Sequence, residues 1–150
     1  MRLLIQRVTG AKCHIGGEVF SQIGKGLVVL VGIGNDETVE DLEWLTKKLV
    51  QLRIFDDEAG VMNLSVEDVA GEVMIVSQFT LHALTKKGNR PSWIKAAPEA
   101  VSRPLYNDFV ECVEHALGRR VATGEFGADM QIELTNDGPV TIWIDSKNRE

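Results

Sequence analysis

The chain has 150 residues, of which 44% are hydrophobic and 25% are charged, and its net charge is −6. This composition predicts one globular domain, residues 1–150, and excludes a disordered chain. The acidic balance counts against broad, non-specific binding to nucleic acid, so an RNA partner would require a local basic patch. No apolar run is long enough to cross a membrane and no secretion signal opens the chain, so we expect a cytoplasmic protein.

Hydrophobic patterning predicts strands and one helix in the first part of the chain. Strands are expected at residues 2–8, 12–15, 18–22 and 27–31. Gly16 and Gly17 separate the second and third of these strands and are typical of a hairpin turn. Thr38 is a suitable N-cap for a helix that continues to about Leu52, because leucines recur at steps of three and four on one face.

The second part of the chain is predicted to contain further strands and a longer helix. Strands are expected at residues 53–55, 73–79, 130–135 and 140–145, with a polar loop at 82–97. Pro104 does not fit a helix interior, so a turn at 98–102, with Ser102 as the cap, is expected to precede a helix over 103–117. Gly118 ends that helix. Helical spacing is kept by Val101, Leu105, Phe109, Val113 and Leu117.

The order of these elements is not a regular alternation of strands and helices. It favours an α+β fold: a compact, β-rich, barrel-like or mixed sheet with two main helices. In the last strand, Thr141 and Trp143 share one face, whereas Ile142 and Ile144 share the other. Because Trp143 faces away from the aliphatic row, we expect both faces to be partly covered. The second cover is expected from another subunit, in a dimer formed through the sheet region.

Most standard catalytic signatures are missing from the sequence. It contains no G-x-S-x-G elbow, no phosphate-binding loop and no H-E-x-x-H motif. Cys13 and Cys112 are far apart and are predicted to be ordinary reduced cysteines. Of the three histidines, only His82 lies near the candidate site described next, and a packing or surface role is the simpler interpretation for each. No metal ion or other cofactor is expected.

Residues 77–81, which read Ser-Gln-Phe-Thr-Leu, end a predicted apolar strand and enter a loop. Strand ends of this kind are common places for functional sites. The segment supplies two hydroxyls, an amide and several backbone N–H groups, which could form an oxyanion hole for an ester's tetrahedral intermediate. The alternative is that Ser77 and Thr80 only satisfy local backbone groups.

Two further features could serve binding. Glycine permits close approach of the backbone and an X-Pro bond can be cis, so Gly138-Pro139 is an unusual pair, although a plain hairpin turn is the alternative. The polar loop carries a candidate basic patch, for which a solvated loop is the alternative. The patch consists of Lys86, Lys87, Arg90 and Lys95.

The sequence resembles the D-aminoacyl-tRNA deacylases over essentially its whole length. The motif at 77–81 and the segment at 136–141, Asn-Asp-Gly-Pro-Val-Thr, carry the likeness. Supporting segments lie at 6–8, 85–92 and 124–130. Two separate motifs, in the right order and at the right spacing, make the resemblance specific. The residues after Leu81, His82-Ala83-Leu84, depart from the family's usual pattern, and we expect this departure to affect the rim of the pocket.

The resemblance implies a hydrolase that acts on D-aminoacyl-tRNA, with glycyl-tRNA as a further substrate and L-aminoacyl-tRNA rejected. It also implies a homodimer in which Gly138 and Pro139, joined by a cis bond, reach into the partner's pocket and read chirality. The catalytic segment implied is Ser77, Gln78, Phe79 and Thr80. Phe126 and Met130 match positions that line the pocket for the terminal adenosine, although patterning alone would assign Phe126 to the core.

The resemblance also implies that the terminal ribose 2′-hydroxyl of the tRNA assists the reaction. Thr80 is then a positioning residue, and its role as nucleophile is the alternative. Two other functions remain open. A non-catalytic, dimeric nucleic-acid-binding module could use the basic patch, but the acidic balance and the lack of interleaved aromatic residues count against it. A β-rich structural dimer without a site would leave Gly138-Pro139 unexplained.

Overall fold

The computed structural model describes residues 1–150. Its strands are β1 (Arg2–Ile15), β2 (Glu18–Ile23), β3 (Gly26–Gly32), β4 (Phe55–Asp56), β5 (Met62–Leu64), β6 (Glu72–Ser77), β7 (Ala122–Thr123) and β8 (Met130–Asp145). Its α-helices are α1 (Val39–Gln51) and α2 (Glu99–Leu117), and a short 3-10 helix spans Phe79–His82. None of these helices is long and apolar enough to span a membrane.

The main sheet is mixed and curls towards closure. Its strand order is β2-β1-β3-β6-β7, and β8 pairs along the other edge of β1. β1 runs antiparallel to β2, β3 and β8, whereas β3, β6 and β7 are parallel to one another. The two ends of the order meet where the Ser21 hydroxyl donates to the carbonyl of Thr123 at 2.7 Å. This nearly closed, barrel-like sheet with two helices confirms the predicted α+β class.

Both faces of the central strands are buried. One face of β3 and β6 packs, with α1 and α2, into a large core that includes Leu27, Val29, Ile75, Leu45, Leu49, Phe109 and Val113. The opposite face encloses a smaller core inside the curled sheet, formed by Val8, Ala11, Cys13, Ile23, Val28, Met74 and Val76. Each fully buried aliphatic side chain contributes about 1.5–3 kcal/mol. Burial on both faces explains why the β3 sequence is a continuous apolar run rather than an alternating one.

The predicted start of α1 is confirmed. The Thr38 hydroxyl accepts a hydrogen bond from the Asp41 backbone at 3.4 Å, and the Asp41 carboxylate accepts one from the Thr38 backbone at 2.8 Å. This reciprocal pair satisfies backbone donors that the first turn of a helix leaves free. The leucine face also lies as expected, with Leu42, Leu45 and Leu49 buried against the core.

The second helix begins earlier than predicted. α2 starts after Pro98, so the expected turn at 98–102 and the helix start at 103 are wrong. Pro104 lies within the helix, where its ring nitrogen cannot donate to the carbonyl of Ala100. Both residues are exposed, so water can satisfy that carbonyl. Ser102 is not the cap, because its hydroxyl donates to the carbonyl of Pro98 at 3.1 Å.

Two predicted strands have different bounds in the structure. The strand expected at 53–55 is the two-residue β4, which pairs with β5 outside the main sheet. The strand expected at 73–79 ends at Ser77, and the 3-10 helix replaces its last part. The hairpin at Gly16-Gly17 is confirmed, and both glycines have positive φ.

The alternative of a plain hairpin turn at Gly138-Pro139 is wrong. Residues 130–136 and 141–145 both pair with β1, in one continuous antiparallel line. Residues 137–140 have no partner on β1 and form a bulge in β8. The predicted faces of this strand are confirmed, because Ile142 and Ile144 pack against the core and Trp143 is 48% exposed. Cover of Trp143 by a second subunit stays a prediction.

Candidate active site

A cavity of about 300 Å³ opens at the carboxyl ends of β3 and β6. These strands are parallel neighbours, so their ends lie at the same edge of the sheet. The beginning of α2, the loop before β8 and the first residues of β8 complete a largely hydrophobic wall. The structure brings together five of the predicted site residues here: Ser77, Gln78, Phe79, Phe126 and Met130.

The main chain changes direction where this cavity begins. The N–H group of Gln78 donates to the carbonyl of Val31 at 2.7 Å, as the last hydrogen bond between the two strands. The 3-10 helix then starts, and the N–H groups of Phe79 and Thr80 donate to no group of the chain. Free N–H groups at the start of a helix attract negative charge. The arrangement can therefore stabilise an oxyanion.

Thr80 does not line the cavity and has no base beside it. Its hydroxyl accepts a hydrogen bond from the side-chain amide of Gln78 and contacts no other polar side chain at hydrogen-bond distance. An amide cannot remove a proton from a hydroxyl. Ser77 does line the cavity. The only histidine, lysine or carboxylate residue in the cavity wall is Asp129.

Two neighbouring side chains contact Phe126. Its ring packs against that of Tyr106 at 5.6 Å between centroids, and the guanidinium of Arg103 lies 4.9 Å from its centroid. The Tyr106 hydroxyl donates to the carbonyl of Ile75 at 2.7 Å, and burial raises the pKa of this phenol. Patterning did not single out Tyr106, although it lies one turn before the predicted core residue Phe109.

Gly138 and Pro139 are exposed and do not line the cavity of their own chain. The peptide bond between them is cis, and Gly138 has a φ of 117°. A buried side chain anchors the bulge from below: Arg7 is 6% exposed, and its guanidinium forms an ion pair with Asp137 at 3.2 Å. The same guanidinium donates to the carbonyls of Ile54 at 2.7 Å and Asp137 at 3.3 Å.

Asn136 holds the bulge from its other side. Its side-chain amide donates to the carbonyls of Arg7 and Val140, both at 2.9 Å. These contacts fix the main chain on either side of Gly138-Pro139. Arg7 belongs to a segment that supports the family resemblance, but no periodic pattern identified it as an anchor.

His82 does not line the cavity, and neither Ala83 nor Leu84 does. The expected effect of these residues on the pocket rim is therefore wrong. His82 is 6% exposed and faces a separate crevice, which Arg2 and Glu37 also line. Burial lowers the pKa of His82 and favours its neutral form. The 3-10 helix carries this side chain away from the cavity.

Comparisons with known proteins identify the family of the chain. A family model described as D-Tyr-tRNA(Tyr) deacylase matches residues 4–145. A D-aminoacyl-tRNA deacylase of Parabacteroides distasonis is 61% identical over 150 residues, covering 100% of both chains. The D-aminoacyl-tRNA deacylase of Bacteroides thetaiotaomicron is 57% identical over the same length, again covering 100% of both chains.

Two solved structures share the fold. One, named c-Myc DNA Unwinding Element Binding Protein, is 41% identical and superposes with a TM-score of 0.91 over 97% of this chain and 98% of that chain. The other, a probable eukaryotic D-amino acid tRNA deacylase, has a TM-score of 0.83 over 95% and 97% of the two chains. Its identity is 20%, so it supports the fold alone. The chain belongs to the D-Tyr-tRNA(Tyr) deacylase family, and its class is that of the D-aminoacyl-tRNA deacylases, which are hydrolases.

Proposed function

We propose that this chain hydrolyses the ester bond between a D-amino acid and tRNA, in the cytoplasm, and releases the free amino acid and the tRNA. One observation carries the proposal. Phe79, whose N–H group is unpaired, lines a largely hydrophobic cavity together with Phe126 and Met130, and the unpaired N–H group of Thr80 follows it in the 3-10 helix. An aminoacyl ester is already activated, so its hydrolysis depends more on positioning and on oxyanion stabilisation than on a strong base.

The reaction needs water and the main chain. Water attacks the ester carbonyl carbon and gives up a proton, and the carbonyl oxygen becomes an oxyanion that the N–H groups of Phe79 and Thr80 stabilise. The bond from the carbonyl carbon to the ribose oxygen then breaks, and that oxygen takes up the proton that the water released. Loss of one such donor typically costs 10²- to 10³-fold in rate. Family resemblance adds the neighbouring ribose 2′-hydroxyl as an assisting group, and Thr80 positions Gln78.

The terminal adenosine is the part of the tRNA that the cavity suits. Phe126 offers an aromatic face to a base, and Met130 supplies an adaptable apolar contact. The packing of Tyr106 and Arg103 against Phe126 supports this assignment, because it fixes the ring in one orientation. Adenosine bound there would bring its ribose, and the ester on it, towards residues 77–80.

Chirality is read by Gly138 and Pro139 of a second subunit. They are exposed on an anchored bulge and lie outside the cavity of their own chain, which supports a role in a neighbouring protomer. Their rigid main chain contacts the amino group of the substrate and leaves no space for an L side chain. Glycine has no side chain to exclude, so glycyl-tRNA, including tRNA-Ala mischarged with glycine, is a further substrate. The active form is a homodimer.

The test compares release of amino acid from tRNA charged with matched D-, L- and glycyl groups. The D-aminoacyl and glycyl esters should be hydrolysed, and the L-aminoacyl ester should persist at its spontaneous rate. Equal rates for the D and L esters would refute chiral selection, and no release from any ester would refute the catalytic proposal. The oligomeric state in solution, measured by sedimentation, should be a dimer.

A second candidate function is binding to nucleic acid without catalysis. The name of the solved structure at 41% identity favours it, because that protein is named for binding a DNA element. The net charge of −6 counts against it. Nucleic-acid binding that persists in a preparation without any esterase activity would favour this candidate over the first.

A further inference from the structure

Exposed aromatic and aliphatic side chains lie together beside the cavity. Phe79 is 56% exposed, Trp93 is 38% exposed and Ile94 is 77% exposed. The rings of Phe79 and Trp93 meet edge to face, with 5.3 Å between their centroids. Phe79 also lines the cavity, so this exposed group continues directly from it. Exposed apolar groups of this kind, rimmed by polar residues, commonly mark binding surfaces.

Four cations lie near Trp93 in the chain. Lys86, Lys87 and Arg90 lie on the loop that closes at Ser92, and Lys95 lies two residues after Trp93. All four are exposed, and none takes part in any ion pair or side-chain hydrogen bond of the chain. In a chain with a net charge of −6, this concentration of unpaired positive charge is a local exception.

The base of this loop is fixed to the fold. Leu84 and Ser92 exchange two backbone hydrogen bonds of 2.9 and 3.1 Å, which close the loop like a short hairpin. Farther on, the N–H group of Ala97 donates to the carbonyl of Ile33 at 2.9 Å. The loop that carries Lys86, Lys87 and Arg90 is therefore closed at Ser92, which directly precedes Trp93.

We propose that this aromatic–basic surface binds the single-stranded nucleotides that precede the terminal nucleotide of the tRNA. The surface is defined by Phe79, Lys86, Lys87, Arg90, Trp93 and Lys95. The inference rests on the proposed function, since it takes the cavity as the place of the terminal aminoacyl-adenosine. Its cations match phosphate groups, and its aromatic edges and faces match unstacked bases.

The aromatic pair favours a single strand over a duplex. Bases in a duplex are stacked on one another and offer no free face, whereas a single strand can place a base on an exposed ring. Duplex recognition would need cations alone. Interleaved aromatic residues and cations are typical of single-strand binding. Trp93 lies between Arg90 and Lys95 in the chain, and the structure adds the ring of Phe79 to it.

The experiment compares two substrates that differ only in this contact. One is D-aminoacyl-tRNA, and the other is the same amino acid esterified to adenosine, which fills the cavity but cannot reach the surface. Replacing Lys86 and Lys87 together by alanine should raise KM for the tRNA ester and leave its kcat unchanged. The slope of log(kcat/KM) against log[salt] should become shallower by about 1.4, at roughly 0.7 for each phosphate contact of a single strand.

Trp93 provides an independent variant. W93A should raise KM for the tRNA ester about ten-fold, as expected for loss of one base stacked on an aromatic ring, and W93F should retain most of the affinity. Neither variant should change hydrolysis of the adenosine ester. Lys47→Ala, which removes an exposed lysine of α1 that forms no ion pair, is the matched control and should change neither substrate.

The outcomes separate the two proposals. If wild-type protein hydrolyses neither ester, the proposed function fails. The surface can then still be tested by measuring, through tryptophan fluorescence, the binding of a single-stranded RNA that ends in CCA. If both esters are hydrolysed and the variants change them equally or not at all, the surface proposal is overturned. Equal binding of a blunt RNA duplex, or tighter binding of the DNA version of the oligonucleotide, would also overturn it.

Discussion

The strand end at 77–80 and the bulge at 137–140 are built in different ways. The first is set by main-chain hydrogen bonds: after β6, the N–H group of Gln78 donates to the carbonyl of Val31, and the 3-10 helix begins at the next residue. The second is set by side chains, because Arg7 and Asn136 hold the main chain that β1 leaves unpaired. We therefore expect the conformation of the bulge to change when Arg7 or Asn136 is replaced, and the main chain of the strand end to tolerate replacement of its side chains.

The largest expected effect comes from a methyl group on the bulge. Gly138→Ala places a Cβ 2.9 Å from Val140 Cγ2 and 3.0 Å from Arg7 Nη2, at a φ of 117°. The main chain must shift, and a misplacement of this kind can reduce the rate of catalysis about 100-fold. The rate at which D-amino acid is released from tRNA measures this loss. Gly16→Ala is the matched control, because that glycine also has positive φ but nothing lies within 4 Å. Comparable losses in both variants would contradict the special role of the bulge.

Loss of the anchor is expected to have the next largest effect. Arg7→Lys keeps the positive charge but replaces the two separate nitrogens that donate to Ile54 and Asp137 by a single one. A buried carbonyl left without its partner costs about 1–3 kcal/mol, so the urea midpoint should fall. The rate of deacylation should fall about ten-fold, because the bulge would be held less firmly. Arg53→Lys, at an exposed arginine that bonds only Asn63, is the control. A variant with normal stability and normal chiral selection would show that Arg7 is not the anchor.

A smaller effect is expected behind the cavity. Tyr106→Phe removes the hydroxyl that donates to Ile75 but keeps the ring against Phe126. The Ile75 carbonyl retains a bond of 3.3 Å from the Gly124 N–H group, so the free energy of unfolding should fall by only about 1 kcal/mol. Thermal unfolding measures this change. KM for D-aminoacyl-tRNA should stay the same, and a large rise would mean that the hydroxyl itself positions Phe126.

The smallest effect tests the strand end directly. Thr80→Ala removes the hydroxyl that accepts from the Gln78 amide but leaves the backbone donors in place. We expect less than a ten-fold loss of kcat, whereas removal of a true nucleophile typically costs several orders of magnitude. Single-turnover deacylation distinguishes the two. Complete loss of activity with a native fold would restore Thr80 as the nucleophile and break the contrast between the two regions.

Most of the local structure could be predicted because it depends on short-range rules. The cap at Thr38, the turn at Gly16-Gly17 and the apolar run of β3 each follow from a few neighbouring residues. Predictions failed where exposure to water or a change in the direction of the main chain decided the outcome. Pro104 is tolerated inside α2, where Ala100, whose carbonyl it leaves without a donor, is exposed, and the 3-10 helix turns His82 away from the cavity.

The candidate site divides in the same way. The family, the α+β class and the two segments that matter could be read from the sequence, because motifs and periodicity are visible along the chain. Three-dimensional packing was needed to show that Phe126 and Met130 line one cavity with residues 77–79, and that 137–140 is a bulge anchored by Arg7. Packing also brings Trp93 against Phe79. These relations join residues far apart in the chain, and strand pairing and packing, rather than local propensity, bring such residues together.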